Sequence, residues 1–223
     1  MIGCFVTGTD TGVGKTLAAA ALLYGLARHH RRVVGMKPVA AGTVRVDSSW
    51  VNDDVLALRA ASTVEVPPDL DNPVLLPDPL SPHMAAARAG VHIDVSRLVA
   101  CYRELARHAD AVVVEGAGGF YVPLSDDETG ADLAQALALP VVLVVGLRLG
   151  CLNHALLTAE AIRARGLTLA GWVANRIDPA MRAQDDNIGW LRRKLPAPLL
   201  ADIPHQTLPD ARALTVQLPP AWT

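Results

Sequence analysis

The amino-acid sequence predicts an α/β fold, a mostly parallel, doubly wound sheet with helices on both faces. Short runs rich in Val alternate along the chain with stretches rich in Ala and Leu, which is the pattern of buried parallel strands joined by helices. The first of these runs leads through a glycine-rich turn into a helical stretch. The chain has 223 residues, 51% hydrophobic and only 4% aromatic, which suits one close-packed core of Ala, Leu and Val. We therefore expect a single domain over residues 1–223.

The predicted elements follow from this alternation in chain order. Strands are expected where the β-branched residues cluster, at Ile2 to Val6, Val33 to Lys37, Ala111 to Glu115, Val141 to Val145 and Leu169 to Asn175. Helices are expected in the Ala- and Leu-rich stretches between them, at Thr16–Arg28, Asp53–Ala61, Val95–His108, Leu152–Arg165 and Pro179–Leu195. Each of the last two is followed closely by strand-like sequence.

The stretch from Phe5 to Thr16, FVTGTDTGVGKT, predicts a phosphate-binding loop. Backbone N–H groups of the turn would surround phosphate oxygens, Lys15 would reach the outer phosphates, and the Thr16 hydroxyl would bind Mg²⁺. The strict template has glycine at position 9, but here Gly8 lies one place earlier, so the loop is a variant. An ordinary glycine-rich turn is the alternative. The strand before it and the helix after it favour a P-loop NTPase fold that binds a nucleoside triphosphate.

Two segments depart from the alternation. The segment Val66 to Pro82 is crowded with Pro and Asp, which predicts an irregular excursion over the surface. The stretch after Pro204 is also rich in Pro. It is either a lid against the nucleotide or a loosely held tail, and the sequence does not decide between them.

The charge balance argues against nucleic acid as a partner. The formal net charge is −2, and no run of Lys and Arg is long enough to act as a binding arm. The most apolar run, Ala136 to Leu149, is too short to span a bilayer and contains Pro140 and Arg148. The N-terminus shows no signal-peptide pattern. We therefore expect a soluble, cytoplasmic protein with no membrane partner.

The cysteines fit a reducing compartment. They lie far apart and form no CxxC pair, so neither a disulfide framework nor a zinc site is expected. They are Cys4, Cys101 and Cys151.

Carboxylates at the strand ends are candidates for metal binding, because ligands of open α/β sheets collect at the carboxyl ends of the strands. Glu115 ends an apolar strand, which is how P-loop enzymes hold the second side of the metal. Its alternative role is to cap the glycine turn that follows. Asp54 is the other candidate, although one acid in the Asn52-Asp53-Asp54 run can be a simple helix cap.

Lys37 is the most suggestive basic residue. It lies at the end of a predicted buried strand, and a buried lysine needs an anionic partner. A polyphosphate, or a carboxylate or carbamate that forms beside it, would supply that partner. With Lys15 it would place two positive charges where negative charge builds during phosphoryl transfer. The alternative is an ion pair with Asp or Glu.

The chain closely resembles the dethiobiotin synthetases from about residue 2 to about residue 205. The resemblance is carried by many short motifs. They are Thr7-Gly8-Thr9-Asp10-Thr11, Val13-Gly14-Lys15-Thr16, Lys37-Pro38-Val39, Asp54, Ser81-Pro82-His83, Val114-Glu115-Gly116-Ala117-Gly118-Gly119, Val144-Val145-Gly146, Leu149-Gly150-Cys151-Leu152-Asn153-His154, Ala170-Gly171-Trp172-Val173-Ala174-Asn175 and Pro196-Ala197-Pro198-Leu199-Leu200.

The resemblance implies an ATP- and Mg²⁺-dependent ligase of biotin biosynthesis. ATP, CO₂ and 7,8-diaminononanoate would give dethiobiotin, ADP and phosphate, through a carbamate and a carbamic-phosphoric anhydride and with no covalent enzyme intermediate. Lys15 and Lys37 would neutralise carbamate and phosphate oxygens, and Thr11 would steady both groups. Catalysis would then consist of positioning and electrostatics.

The resemblance also implies the binding residues. The metal ligands would be Thr16, Asp54 and Glu115. The nucleotide would contact Gly12, Val13, Gly14, Lys15, Thr16, Leu17, Asp54, Glu115, Gly116, Ala117, Gly118, Asn175, Arg176, Pro204, His205 and Gln206, with the Asn175 amide on the adenine edge. The substrate would contact Thr11, Lys37, Ala41, Gly150, Cys151, Leu152 and Asn153.

The family supplies the last four of these residues from a neighbouring subunit, which implies a homodimer whose active sites straddle the interface. The helix that begins at Gly150 to Asn153 is a suitable anion site, because free backbone N–H groups point outward there. There they would hold the substrate carboxylate. Asn153 is equally compatible with an ordinary N-cap, Cys151 is read as a packing residue, and His154 is read as structural.

Three positions depart from the family pattern. Position 12, often Glu, is Gly; position 41, often Ser, is Ala; and position 187, often an aromatic residue with a hydroxyl, is Asn. These changes bear on substrate affinity and nucleotide contacts, and they leave the expected reaction type unchanged.

Two other functions share the P-loop. A switch ATPase that positions plasmids or division sites would have a lysine near the start of the loop, but none lies between Phe5 and Gly14. An amidotransferase-linked synthetase would need a glutaminase domain with a nucleophilic cysteine. Turnover that depends on the diamine would distinguish all three.

Overall fold

The computed structural model describes residues 1–46 and 49–223. Its strands are β1 (Ile2–Gly8), β2 (Val33–Met36), β3 (Val39–Ala41), β4 (Val44–Val46), β5 (Ser49–Val51), β6 (Val74–Leu76), β7 (Ala111–Gly119), β8 (Val141–Gly146), β9 (Leu169–Asn175) and β10 (Leu199–Ile203). Its helices are α1 (Lys15–Leu26), α2 (Asp53–Ala61), α3 (Pro68–Asp71), α4 (Pro82–Ala89), α5 (Val95–His108), α6 (Gly130–Leu137), α7 (Cys151–Ala164) and α8 (Gln184–Lys194).

The central sheet has six strands in the order β10-β9-β8-β1-β7-β2. Each neighbouring pair runs parallel, with Ile2 opposite Ala111 in the β1 and β7 pair and Phe5 opposite Val141 in the β1 and β8 pair. The chain therefore moves to one side of β1 for β2 and to the other side for β8, β9 and β10. This confirms the predicted doubly wound α/β fold and places the switch point at β1, where ligands of such sheets bind.

Apolar layers cover both faces of the sheet. On one face, alternate residues of β1, β7 and β8 pack against α1 and α2, whose contacts are small Ala side chains and Leu. On the other face, the intervening residues pack against α4, α5 and α6, and further along against α7 and α8. Because both faces are covered, β8 is buried throughout and β1 and β7 are buried over most of their length, which explains their apolar sequences. None of the described helices has the length and apolarity needed to cross a membrane.

Side-chain caps fix the starts of two helices at the predicted residues. The Asn52 side chain accepts hydrogen bonds from the backbone N–H groups of Asp54 (3.1 Å) and Val55 (3.3 Å) at the start of α2. The Asp94 carboxylate accepts one from Ser96 N (2.8 Å) at the start of α5. These caps satisfy donors that have no partner within the helix, so α2 and α5 have the predicted bounds.

Two of the sequence-based expectations were wrong. The helix expected over Pro179–Leu195 begins only at Gln184, because Ala183 adopts a left-handed conformation (φ 56°) that a continuous helix cannot contain. The segment Val66 to Pro82 is not an irregular excursion throughout. It forms the short helix α3 and the strand β6, which pairs in parallel with β3, and tertiary contacts supply the order that its Pro-rich sequence hides.

The C-terminal stretch packs along α1. Trp222 is buried beside that helix, its carbonyl oxygen lies 2.9 Å from His30 Nε2, and Gln217 N donates to Leu200 O of β10 (2.8 Å). The Leu218 side chain approaches Gly25 of α1. The tail is thus held at several points and is not loosely attached.

Replacing Trp222 by Ala tests this packing. Trp222 is 6% exposed, so we expect Trp222→Ala to lower the free energy of unfolding by about 3 kcal/mol, through lost burial and the cavity left behind. Leu208→Ala is the matched control, because Leu208 lies in the same tail but is 87% exposed, and it should change stability by less than about 0.5 kcal/mol. Urea denaturation measures both, and equal small effects would contradict the packed tail.

Candidate functional site

A cleft of about 780 Å³ opens at the carboxyl ends of β1, β2 and β7. Its walls come from the loop after β1, the ends of β2, β3 and β7, the first turn of α2, and the segment before α4. The lining includes Thr11, Gly12, Gly14, Lys15, Thr16, Lys37, Ala41, Asp54, Pro79, Leu80, Ser81, Glu115, Ala117 and Gly118. The fold therefore brings most of the predicted loop and strand-end residues to one place.

The loop after β1 has the backbone that phosphate binding requires. Gly12 and Gly14 have positive φ angles of 72° and 86°, which L side chains rarely adopt. A Cβ on Gly14 would lie 2.1 Å from Asn175 Nδ2, so only glycine fits at this position. Gly14 is also the N-cap of α1, and the N-terminal end of that helix therefore faces the cleft.

Lys15 begins α1 and is 6% exposed. Its ammonium donates to Asp10 O (3.0 Å), the carbonyl of a residue in the same loop. Burial, reinforced by the nearby Lys37 ammonium, lowers the pKa of Lys15 to about 8. The Asp10 carbonyl and the nearby carboxylates only partly offset the cost of burying this charge, so Lys15 is a suitable partner for an anion.

A buried cluster joins Lys37, Asp54, Glu115 and Thr16. Lys37 Nζ donates to Asp54 Oδ2 (2.7 Å) and to Glu115 Oε1 (2.5 Å). Thr16 Oγ1 lies 2.8 Å from Asp54 Oδ1 and 2.9 Å from Glu115 Oε1. Lys37 therefore forms the ion pairs with Asp and Glu that were the alternative expected from the sequence. The Asp54 side chain is part of this cluster. The helix cap that was the alternative role for an acid of this run is supplied by Asn52.

Burial and charge oppose each other in this cluster. Burial raises the pKa of Glu115, which is 1% exposed, although Lys37 attracts its carboxylate. Burial alone would lower the pKa of Lys37, but Glu115 and Asp54 outweigh it and raise that pKa above its ordinary value. Lys37 and Thr16 hold the pKa of Asp54 below its ordinary value in spite of partial burial. Lys37 is therefore charged at neutral pH.

The cluster fits a magnesium ion. Glu115 Oε2 is buried and has no hydrogen-bond partner among the described residues, so one oxygen is free to bind a cation. Asp54 and the Thr16 hydroxyl supply further oxygen atoms, the ligand type that Mg²⁺ prefers. Within residues 1–46 and 49–223, no group of three or more His, Cys, Asp or Glu is placed to hold a metal. A site with two carboxylates is typical of Mg²⁺ that is also held by phosphate and water.

The residues predicted to contact the nucleoside lie further along the same sheet edge. Asn175, at the end of β9, donates from Nδ2 to Val13 O in the loop (2.9 Å). Arg176 makes ion pairs with Asp202 (2.8 Å) and Asp185 (2.6 Å), and these hydrogen bonds raise its pKa. The other three follow β10; they are Pro204, His205 and Gln206. None of these five residues lines the cleft.

The start of α7 lines a second cavity, of about 630 Å³, and is absent from the lining of the first. Gly150 caps the helix with φ 96°. Asn187 lies in the same cavity, and burial raises the pKa of the Cys151 thiol, which fits a packing role. The cavity contains Gly150, Cys151, Leu152 and Asn153. Within one chain, these four residues are therefore separate from the cleft.

Sequence reasoning missed two features of the site. Pro79, Leu80 and Ser81 form a wall of the cleft, and Ser-Pro before an Ala-rich run could have indicated the start of α4. The Asp10 carboxylate, in the loop, forms an ion pair with Arg148 after β8. These residues lie 138 positions apart, so no local pattern reveals their contact.

Comparisons with known proteins agree with the fold. A family model described as an AAA domain matches residues 3–212. The MinC:MinD cell division protein complex of Aquifex aeolicus is a structural neighbour with a TM-score of 0.57 and 16% identity, over 93% of this chain and 82% of that one. A ParA family ATPase from Chlorobium tepidum TLS has a TM-score of 0.55 and 16% identity, over 92% and 85% of the chains. At these identities the neighbours show a shared P-loop fold alone.

A third neighbour is the signal recognition particle receptor FtsY from Elizabethkingia anophelis, in complex with GDP. It has a TM-score of 0.53 and 15% identity, over 96% of this chain and 59% of that one. Together with the glycine-rich loop, the family match identifies a nucleotide-binding domain of the P-loop ATPase type.

The pKa of Lys15 predicts how ATP binding depends on pH. The ligand-free chain loses the Lys15 charge as pH rises through about 8, whereas bound polyphosphate favours the charged form and raises that pKa. Above about pH 8 we therefore expect proton uptake on binding and an affinity that falls by up to about tenfold per pH unit. Calorimetric titrations in two buffers with different ionisation enthalpies measure both effects.

Lys15→Arg is the control for this titration, because arginine stays protonated throughout the range. It should bind ATP without the proton uptake. An affinity of the native chain that does not change between about pH 7 and 9.5 would contradict the lowered pKa of Lys15.

Proposed function

The chain belongs to the AAA domain family, and on that basis we propose that it is an ATP-dependent dethiobiotin synthetase. It would convert 7,8-diaminononanoate, CO₂ and ATP to dethiobiotin, ADP and phosphate, the penultimate step of biotin biosynthesis in the cytoplasm. The observation that carries the proposal is the position of Lys37. It is 4% exposed, ends β2 beside the loop, and lies within hydrogen-bond distance of both candidate metal carboxylates.

The charges of the cluster suggest what Lys37 does when the site is filled. Lys15 and Lys37 carry two positive charges, and Asp54 and Glu115 carry two negative charges. Mg²⁺, bound with ATP by Thr16, Asp54 and Glu115, would neutralise charge on the transferred phosphoryl group. Asp54 and Glu115 would be the residues that hold the cation, and the buried Lys37 ammonium would then require another anionic partner. A carbamate or a phosphate oxygen in the cleft meets that need.

The reaction then requires no enzyme nucleophile. One substrate amine forms an N–C bond to CO₂ and loses a proton, which gives the carbamate. A carbamate oxygen bonds to the γ-phosphorus as the bond from phosphorus to the bridging oxygen of ADP breaks. The second amine attacks the carbamoyl carbon and loses a proton, the bond from that carbon to the phosphate oxygen breaks, and phosphate leaves as the ring closes. Lys15, Lys37 and Thr11 would stabilise the negative oxygens through these steps.

The nucleoside would extend from the loop along the edge formed by β9 and β10. Asn175 already contacts the loop at Val13 and carries an amide whose donor and acceptor suit the adenine edge. Arg176 and the residues that follow β10, Pro204 to Gln206, would complete this part of the site. Leu17 and Gly116 would contribute through their backbones, since both lie directly beside the phosphate-binding residues.

We also propose that the active enzyme is a homodimer. The start of α7 offers free backbone N–H groups for a carboxylate, yet it lies outside the cleft that holds Lys37. Leu149 is 93% exposed directly before this helix, and Leu157 on α7 is exposed as well. Association through this apolar surface would place Gly150 to Asn153 of one subunit at the cleft of the other.

A switch ATPase is the alternative that shares this fold. The likeness to the ParA family ATPase and to the MinC:MinD complex shows the fold alone, because identity is 16% in each case. The loop of this chain has no lysine between Phe5 and Gly14, which is where the switch ATPases have one. Such a protein would also hydrolyse ATP without any diamine.

Phosphate release tests the proposed reaction. We expect release from Mg-ATP to require both bicarbonate and 7,8-diaminononanoate and to be accompanied by dethiobiotin. Lys37→Ala should lower kcat by about a hundredfold or more, because it removes a charge aimed at the developing anion. Arg32→Ala, at the opposite end of β2, is the control and should retain full activity. Equal release without the diamine would favour the switch ATPase.

Mixing two inactive variants tests the shared site. Lys37→Ala disables the subunit's own cleft, and Asn153→Asp places a negative charge where the partner's substrate carboxylate would bind. Each variant should be inactive alone. After unfolding and refolding together, half of the dimers would carry one intact site, so about a quarter of the native activity should return. No recovery, with mixed dimers shown by native mass spectrometry, would contradict a site at the interface.

A further inference from the structure

The main chain of Lys37 is held by the segment between α3 and β6. Lys37 N donates to Asp71 O (2.8 Å), and Asn72 Nδ2 donates to Lys37 O (2.7 Å) and to Val74 O (3.2 Å). Asp71 and Asn72 are both buried. These bonds give both polar groups of the Lys37 backbone a partner.

The sheet itself does not supply those partners. β2 is an edge strand, and its pairing with β7 ends at Met36 opposite Val114, one residue before Lys37. Beyond that point, the buried backbone of Lys37 would lack hydrogen bonds unless another segment provided them. Asp71 and Asn72 therefore supply the hydrogen bonds to the Lys37 backbone that the sheet does not.

Arg59 on α2 fixes this segment in turn. Its guanidinium makes a two-point contact with Asp71, from Nε to Oδ2 (2.7 Å) and from the terminal nitrogen to Oδ1 (2.6 Å). The same terminal nitrogen lies 3.4 Å from Pro68 O of α3. A two-point contact with a carboxylate buried on its own segment restricts both distance and angle.

Two sets of contacts to Lys37 both lead to α2. The first turn of this helix carries Asp54, which binds the Lys37 ammonium, and a later turn carries Arg59, which holds the segment that binds the Lys37 backbone. Residues of one helix, α2, therefore hold the Lys37 ammonium directly and the Lys37 backbone through Asp71. A lysine side chain has four rotatable bonds, so a fixed backbone alone or a fixed ammonium alone would leave its position less defined.

Resting on the function proposed above, we propose that Arg59, Asp71 and Asn72 are positioning residues that set the location of the Lys37 ammonium at the phosphoryl-transfer site. We call these three residues the Lys37 tether. None of the three lines the cleft that would hold ATP, and they reach it only through Lys37. Their loss should therefore lower turnover and leave ATP binding nearly unchanged.

The lysine content of the chain allows a direct test. There are only three lysines, Lys15, Lys37 and Lys194. In ¹⁵N-lysine protein, an ammonium group that is buried and ion-paired exchanges its protons slowly and gives a cross peak near neutral pH, whereas an exposed ammonium does not. We expect the native chain to show the Lys37 signal, assigned by its absence in Lys37→Arg.

Arg59→Ala is the main variant, because Arg59 is partly exposed, although its removal leaves the buried Asp71 carboxylate without its cation and should lower the free energy of unfolding as well. We expect loss of the Lys37 ammonium signal, and a kcat lower by about tenfold to a hundredfold with KM for ATP within about twofold. Arg59→Lys keeps the charge but cannot make the two-point contact, so it should restore only part of kcat. Asn72→Ala, where it folds, should repeat the effects of Arg59→Ala.

Arg32→Ala is the matched control. Arg32 is also paired with an aspartate, and its Nε and terminal nitrogen both donate to Asp110 Oδ1 (3.2 and 2.7 Å). This pair lies at the amino end of the same strand, away from Lys37. Retention of the Lys37 signal and of kcat in this variant, beside their loss in Arg59→Ala, would support the tether.

Two results would overturn the inference. One is an absent Lys37 signal in the native chain, and the other is a signal that persists in Arg59→Ala and Asn72→Ala. The ammonium measurement uses no substrate, so it remains decisive if the native chain shows no diamine-dependent turnover. An absence of diamine-dependent turnover would reject the proposed function, and the Lys37 tether would then be judged by the ammonium signal alone.

Discussion

The buried ion pair between Lys37 and Glu115 is the interaction on which the rest of the site depends. An ammonium and a carboxylate that leave water each cost several kcal/mol of hydration, and their attraction offsets this only when the geometry is good. Nζ and Oε1 lie 2.5 Å apart, and Asp54 and Thr16 provide further hydrogen bonds. Removal of either partner would leave an uncompensated charge in the interior, so the cluster holds together the ends of two strands and the start of two helices.

The fold explains why these groups meet. In a doubly wound parallel sheet, every strand delivers its last residue to the same edge. Lys37 follows β2, and Glu115 lies in β7. Lys15 and Thr16 begin the helix after the β1 loop, and Asp54 lies in the first turn of α2, at the same edge of the sheet. The switch in direction at β1 leaves an open crevice above these residues. A polyphosphate with a bound cation matches both the shape and the charge of that crevice.

Much of the fold and of the loop could be predicted from the sequence, because local patterns encode them. The strand β9 and the capped helices α2 and α5 have the expected bounds, since periodicity and caps are local signals. The left-handed Ala183 and the pairing of β3 with β6 could not be predicted, because tertiary contacts determine both.

The candidate site was predictable at its centre and less so at its edges. Lys15 and Thr16 follow from a motif, and Lys37 and Glu115 follow from strand ends. Their mutual hydrogen bonds are long-range, since Lys37 and Glu115 lie 78 positions apart, so sequence alone left an ion pair and an anion partner as alternatives for Lys37. The role of Asp71 and Asn72 was hidden because a Pro- and Asp-rich segment resembles a surface loop.

The measurement that tests the central claim most directly follows the carbon of bicarbonate. The native chain would be incubated with Mg-ATP, 7,8-diaminononanoate and ¹³C-bicarbonate, and the products examined by ¹³C NMR and mass spectrometry. The account predicts the label at the carbonyl carbon of a cyclic urea, formed in equal amount with ADP and phosphate. ATP hydrolysis that proceeds while the label stays in bicarbonate would contradict it.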